Sequence, residues 1–292
     1  MVVSVTITPL TLEKVEATGN DFLVHVAADG MFPPPPPAVV ARLCDRHLGI
    51  GADGLITIDS GRDGADCTMI LRNADGGLAE MSGNGARALA WVAHRAGIGD
   101  GKRLVVDTGG GRREIDLVLD PATNEVTHAT VDMGPVTFDP MDIPLDAPSP
   151  FDLEATFHGT TYRGDAAGVG NPHFVLWVED PATARVTQHG PRLEHDERFP
   201  NRTNVEFIAL TPGESDSLTM RVWERGVGET LSCGTGACAS AAVAHHRGLV
   251  GDQVVVHVPG GDLTVDLGVT LRLGGPVRRV FGVALDPNEW RA

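Results

Sequence analysis

The sequence predicts an α/β (α+β) protein made of two homologous, pseudo-symmetric domains, each a β-sheet or barrel wrapped around a central helix. Three observations carry that expectation: a repeat along the chain, two Ala-rich segments apolar on every face, and β-branched or aromatic runs in each half. Ser82-Gly83-Asn84-Gly85-Ala86 aligns with Cys233-Gly234-Thr235-Gly236-Ala237 at an offset of 151 (233 − 82). Held without a gap, that offset brings Ala88 to Ala239, Ala90 to Ala241, Val92 to Val243, His94 to His245 and Gly97 to Gly248. It reaches Gly109-Gly110 and Gly260-Gly261 downstream, and upstream it sets Asn73 on Glu224 and Gly19-Asn20 on Gly170-Asn171. Self-similarity at one fixed spacing is the signature of a duplicated structural unit.

The elements follow in order. Residues 1–8 alternate as a first strand, and they lack the basic region, apolar block and cleavage site of a signal peptide. Phe22–Val26 and Phe174–Val178 have the composition of strands. Phe32 and the prolines 33–37 can be read as a polyproline ligand, but a stiff surface loop feeding a helix over Ala38–Arg46 is favoured, since such a run enters neither a helix interior nor a central strand. Ala86–Ala96 and Ala237–Arg247 are apolar all round, which marks buried helices. Gly97 and Gly248 supply their stops. The proline-rich stretch from Gly134-Pro135 to Pro150 reads as a linker between the halves.

Composition narrows the function. The 292 residues are 42% hydrophobic, and no apolar run approaches the ~20 residues that span a bilayer. A net charge of −16 disfavours nucleic acid and anionic membranes as partners, while leaving an anionic substrate open, because local donors set the potential inside a cleft. Four cysteines without a Cys-x-x-Cys pair point to a reduced, cytoplasmic protein. The 11 histidines include none at metal-ligand spacing, so no metal is expected, and His245-His246 reads as a helix end.

Each Gly-rich turn opens a helix, whose free N–H groups and positive dipole end bind anions. Removing a proton beside a carboxylate places more negative charge on that group, and fixed donors aimed there favour the transition state. Cys233 stands first in one such turn. It is either a small buried filler or a thiol whose ordinary pKa, ~8.5, is lowered by the helix terminus to give a poised thiolate. The duplicated turn, Glu224-Arg225 and Gly226-x-Gly228 favour the second reading, with Glu224 accepting or relaying the thiol proton. Cys44, Cys67 and Cys238 are expected in the core.

These residues resemble the diaminopimelate epimerases, within the wider group of cofactor-independent racemases that includes proline racemase. The resemblance rests on Ala17-Thr18-Gly19-Asn20-Asp21-Phe22, Gly49-Ile50-Gly51-Ala52-Asp53-Gly54, Asn73-Ala74-Asp75-Gly76 and Gly83-Asn84-Gly85-Ala86-Arg87. It continues through Gly170-Asn171-Pro172-His173, Asn204-Val205, Glu224-Arg225-Gly226 and Cys233-Gly234-Thr235-Gly236. It implies a diaminopimelate epimerase-like fold with one half formed by 1–136 plus 277–292, the other by 137–276, and an active site in the cleft between them. It also implies inversion of one α-carbon of LL-2,6-diaminopimelate to the meso isomer, a lysine and peptidoglycan precursor, without pyridoxal phosphate or other cofactor, by a cytoplasmic enzyme that forms a homodimer. By the same resemblance Cys233 exchanges the α-proton with Glu224 as its partner, His173 assists the opposite side, and Asn20, Asn73, Asn171, Asn204 and Arg225 hold the distal groups. Gly83-Asn84 and Gly234-Thr235 bind the reacting carboxylate through backbone N–H groups. An arginine and four asparagines suit a substrate with both an ammonium and a carboxylate at its far end.

Two positions depart from the family pattern. Gly54 stands where glutamine is usual, and Ser82 stands where the second catalytic cysteine belongs. A hydroxyl is far less acidic than a thiol and needs an activating base. Ser82 is compatible with an engineered Cys-to-Ser change that arrests catalysis, or with natural two-sided exchange completed by His173 or water. It is also compatible with a one-base relative such as a dehydratase of 3-hydroxylated amino acids, and with a non-catalytic amino-acid-binding protein.

Overall fold

The computed structural model describes residues 10–27, 34–157 and 159–286. The alternating segment 1–8, and Phe32 and Pro33 of the proline run, lie outside the described residues. The chain divides into two compact units, Met1–Ala129 with Val277–Ala292, and Thr130–Pro276.

The first unit runs β1 (Leu10–Ala17), β2 (Asn20–Val26), α1 (Pro37–Cys44), β3 (Gly54–Ser60), β4 (Cys67–Asn73), β5 (Leu78–Ala79), α2 (Gly83–Arg95), β6 (Arg103–Thr108) and β7 (Gly111–Leu119). β8 (Val126–Gly134) carries the chain across the boundary. The second unit runs β9 (Leu153–Phe157), β10 (Thr160–Gly168), β11 (Pro172–Trp177), α3 (Val186–Leu193), β12 (Asn204–Leu210), β13 (Ser217–Glu224), β14 (Gly228–Thr230), α4 (Gly234–His246), β15 (Gln253–Val258), β16 (Gly261–Leu267) and β17 (Leu271–Pro276). β18 (Arg278–Leu285) then returns to pair antiparallel with β1. No helix among the described residues is long and apolar enough to cross a membrane.

The two ladders match. β1–β2, β3–β4 and β6–β7 are antiparallel, whereas β2–β3 and β4–β6 are parallel. In the second unit β10–β11, β12–β13 and β15–β16 are antiparallel, and β11–β12 and β13–β15 parallel. The repeat is not at one constant spacing, however. Phe22 pairs with Gly54 and His173 with Asn204, so β3 and β12 correspond at an offset of 150 (204 − 54) while their neighbours keep 151. A one-residue slip in a strand changes which side chains face the core.

Each unit packs its sheet around one helix. α2 contacts β1, β2, β3, β4, β7 and β18, and α4 contacts β10 through β13 and β15 through β17. Every residue from Gly83 to Ala93, and from Gly236 to Ala244, is buried. Small side chains let strands approach the helix on all sides, which explains the Ala-rich sequence. The helices end as expected: Gly97 (φ 74°) and Gly248 (φ 69°) adopt the left-handed conformation, with N–H groups bonded to His94 and His245 carbonyls. Their starts differ from the sequence expectation. The glycine-rich residues form the first helical turn itself, and Ser82 and Cys233 are the extended N-caps.

The stretch from Gly134 to Pro150 is irregular but is no loose tether. Ile143 and Leu145 lie in the core of the second unit with Phe174, Phe199 and Phe207. The corresponding core of the first unit gathers Leu10, Leu12, Leu23, Val40, Leu43 and Leu55, with Val283 and Leu285 of β18 against it. Cys44, Cys67 and Cys238 are buried as expected.

Candidate active site

In the first unit the site residues gather at the head of α2. Ser82 caps the helix, its Oγ accepting the Gly85 N–H at 3.0 Å. Gly83 and Asn84 are buried in the first turn. The Asn84 amide donates to Asn20 Oδ1 at 3.1 Å, and Asn20 donates to Asp53 Oδ2 at 2.5 Å. Buried Arg87 braces the set by donating to Asn84 Oδ1 and, at 3.0 Å, to Thr18 Oγ1. Thr18 and Gly19 take positive φ (52° and 81°) in the β1–β2 turn, which brings Asn20 round toward Asp53. Asn73 ends β4 and is exposed, opposite Gly54 of β3. A side chain at Gly54 would start 2.6 Å from the Arg72 carbonyl, so the glycine that departs from the family pattern is fitted to its place.

In the second unit a denser group forms at the head of α4. Cys233 is the buried N-cap, and its Sγ lies 3.5 Å from Thr235 Oγ1. Glu224, at the end of β13, accepts the Thr230 hydroxyl, and its charge bears on the Cys233 thiol. His173, wholly buried on β11, places Nδ1 2.7 Å from Glu206 Oε1 and Nε2 2.8 Å from Asn171 Oδ1. Asn204 donates to the Pro172 carbonyl at 3.0 Å and accepts the Arg225 N–H at 2.9 Å. The half-buried Arg225 guanidinium donates to the Asn201 carbonyl. Gly234 is buried and Thr235 partly so.

Sequence reasoning missed the supports. Glu206 is fully buried against His173, and its one visible cue is a charged residue amid the apolar run Val205–Ile208 of β12. Glu194 holds the turn that carries Glu224 and Arg225. It accepts the Gly226 N–H (2.9 Å), the Trp223 indole N–H (2.8 Å) and Arg202 (3.1 Å). Trp223 in turn lies over Gly190 of α3, where a Cβ would come within 2.6 Å of its ring. Asp53, which orients Asn20, was likewise unassigned.

The electrostatics correct one expectation. Burial, then the negative charges of Glu224 and Glu206, push the Cys233 thiol well above its ordinary range. The Thr235 hydroxyl and Gly236 N–H pull the other way and lose. Cys233 is therefore held as a neutral thiol, not the poised thiolate that its helix-terminal position suggests. Burial also raises the Glu224 carboxyl, against the hydrogen bond from Thr230 and the pull of the Cys233 thiol. A carboxyl raised toward neutrality beside a thiol is suited to exchanging a proton with it.

A family model described as diaminopimelate epimerase matches residues 14–138 and 166–272. The chain belongs to the diaminopimelate epimerase family. It is 40% identical over 273 residues to the diaminopimelate epimerase of Moorella thermoacetica, covering 92% of this chain and 96% of that one. The Synechococcus elongatus diaminopimelate epimerase is 36% identical over 283 residues, covering 95% and 98%. Among solved structures, a hydroxyproline epimerase from Agrobacterium vitis superposes with a TM-score of 0.69 at 18% identity, covering 95% and 92%. A Bacillus anthracis phenazine biosynthesis protein of the PhzF family gives 0.68 at 15% identity, covering 95% and 99%. These two likenesses establish the fold, and the family membership makes the chain an amino-acid isomerase with a small-molecule substrate.

Proposed function

We propose that this chain interconverts LL-2,6-diaminopimelate and meso-diaminopimelate by proton exchange at one α-carbon, without pyridoxal phosphate or another cofactor. The observation that carries the reading is the Cys233 thiol buried at the head of α4, with the Glu224 carboxyl near enough for its charge to raise the thiol. Glu224 takes the thiol proton, and the thiolate removes the α-proton. The electron pair of the broken C–H bond spreads onto the adjacent carboxylate, where the backbone N–H groups of Gly234-Thr235 and Gly83-Asn84 offset the growing charge. A proton delivered to the opposite lobe of the carbanion completes inversion. Ser82 supplies it, with His173 restoring the hydroxyl proton, because a serine alone is too weak an acid for efficient exchange. Asn20, Asn73, Asn171, Asn204 and Arg225 hold the distal ammonium and carboxylate, groups that a proline-type substrate lacks. The proposed setting is cytoplasmic, in lysine and peptidoglycan precursor synthesis, with a homodimer as the working form and two halves at 1–136 plus 277–292 and 137–276.

The test is turnover of LL-diaminopimelate in heavy water, followed by NMR and chiral chromatography. Deuterium at one α-carbon with meso product is expected, faster after Ser82→Cys. Absence of both exchange and meso product, in the natural chain and in Ser82→Cys, overturns the reading. Exchange without inversion assigns a one-base enzyme in which Cys233 works alone.

A further inference from the structure

The two halves of the repeat build the same scaffold with different side chains beneath the head of the central helix. His173 of β11 corresponds to Phe22 of β2, and Glu206 of β12 to Ile56 of β3, at the shifted offset. Helix contacts agree: a Cβ at Gly85 would lie 3.3 Å from Ile56 Cδ1, and a Cβ at the matching Gly236 only 2.6 Å from Glu206 Oε1. Phe22 and Ile56 are buried, so one half is packed there by an ordinary apolar pair. In the other half the same place holds an imidazole and a carboxylate, both fully buried. Burying two ionisable groups where two apolar ones suffice costs stability, so folding does not account for the exchange.

The carboxylate is committed to the ring. Glu206 Oε1 is 2.7 Å from His173 Nδ1, and among the described residues Oε2 has no hydrogen-bond partner. Gly236 leaves it room under the first turn of α4. The other titratable groups that bear on the pair are Glu224 from β13 and Cys233 from the head of α4. With Nδ1 turned inward to an acceptor that is never a donor when ionised, the ring proton on that side is fixed. Nε2 is then the nitrogen that gains and loses the exchanged proton, and when protonated it donates to Asn171 Oδ1 at 2.8 Å, an oxygen that can only accept.

We propose that Glu206 is a positioning residue: it holds a proton on His173 Nδ1 and locks the ring so that Nε2 faces Asn171 and the reacting centre. A carboxylate that fixes the tautomer of a working imidazole is a general device. The proposal rests on the epimerase reading for its effect on rate, but the state of the ring is readable without turnover.

The experiment compares Glu206→Leu and Glu206→Gln with the natural chain by 15N NMR of histidine-labelled protein, with His173 assigned from the signals lost in His173→Phe. In the natural chain Nδ1 is expected to carry a fixed proton. Glu206→Leu removes the acceptor, so the ring nitrogens should show tautomer averaging, and kcat/KM for diaminopimelate should fall about ten- to a hundredfold. Glu206→Gln keeps an acceptor oxygen and should restore both the single tautomer and most of the rate. If Glu206→Leu does not fold, Glu206→Ile, copied from the sister half, gives the same readout. Unchanged nitrogen signals after loss of the acceptor overturn the proposal, as does a glutamine variant that keeps the tautomer yet is as slow as leucine. A natural chain that never turns over diaminopimelate removes the epimerase reading, while the NMR comparison still decides the role of Glu206.

Discussion

Cys233 shows two effects in competition. The head of α4 offers N–H groups that stabilise a thiolate, yet burial and two nearby carboxylates hold the proton on sulfur. Because the shift is upward, the neutral thiol persists through neutral pH, and reactivity rises only as pH climbs above the ordinary thiol range. Iodoacetamide should therefore modify Cys233 at pH 8 at least about tenfold more slowly than free cysteine, since each unit of pKa is a tenfold loss of thiolate. Peptide mapping separates it from Cys44 and Cys67, both pushed up to about 12 by burial. Alkylation of Cys233 as fast as a free thiol would refute the electrostatic account. Cys233, Glu224 and His173 were legible in the sequence because each sits in a compact Gly-rich motif. Glu206 was not: its partner lies 33 residues away across a parallel pair, and burial has no local signature.

The helices were legible as elements because small, mostly apolar residues surround them. What local pattern could not supply was their anchoring. At the C-terminal end of α4, Arg247 reaches Asp165 of β10, with Nε to Oδ2 at 2.6 Å and Nη2 to Oδ1 at 2.5 Å, and also bonds Asp152. Asp165 is fully buried, and its other hydrogen bond comes from the Asp152 N–H. Removing the guanidinium strands a buried carboxylate, a change far costlier than the loss of a surface pair. Arg247→Met should lower unfolding free energy by about 3 kcal/mol in urea titration. Arg247→Lys should recover only part, because an ammonium cannot make the two-pronged contact. A methionine variant within experimental error of the parent would show that the pair contributes nothing net. Asp165 lies opposite Val175 as Glu13 lies opposite Val24, so the first unit has Glu13 and Ala96 at the matching positions, and this clasp, like the His173–Glu206 pair, is found in one half alone.

Across the whole chain, duplication explains both what the sequence reveals and what it hides. A constant offset of 151 aligns the two helices residue for residue, Gly83–Arg95 with Gly234–His246. That same constancy misaligns β3 and β12 by one residue, setting Glu206 opposite Leu55 instead of Ile56, so the polar replacement in the second half escapes notice. The last strand of the repeat also joins the other half. β8 and β18 correspond at the 151 spacing, yet β18 pairs with β1 in the first unit, Leu12 opposite Val283 and Leu10 opposite Leu285. Arg278 and Arg279 reinforce it through Glu16 and Glu13. The last strand therefore covers one edge of the first unit's ladder and part of its core, and among the described residues it is not paired with β11 or β13, which carry His173 and Glu224. A chain ending at Pro276 should lose hydrogen-exchange protection along β1 and at its apolar partners Leu10 and Leu12, as an uncovered edge strand opens. Amides of β11, β12, β13 and α4 should keep theirs, since their hydrogen bonds and core lie within Thr130–Pro276. Mass-spectrometric exchange on the truncated and complete chains distinguishes the two sets, and equal loss in both would mean that the second unit does not hold together on its own contacts.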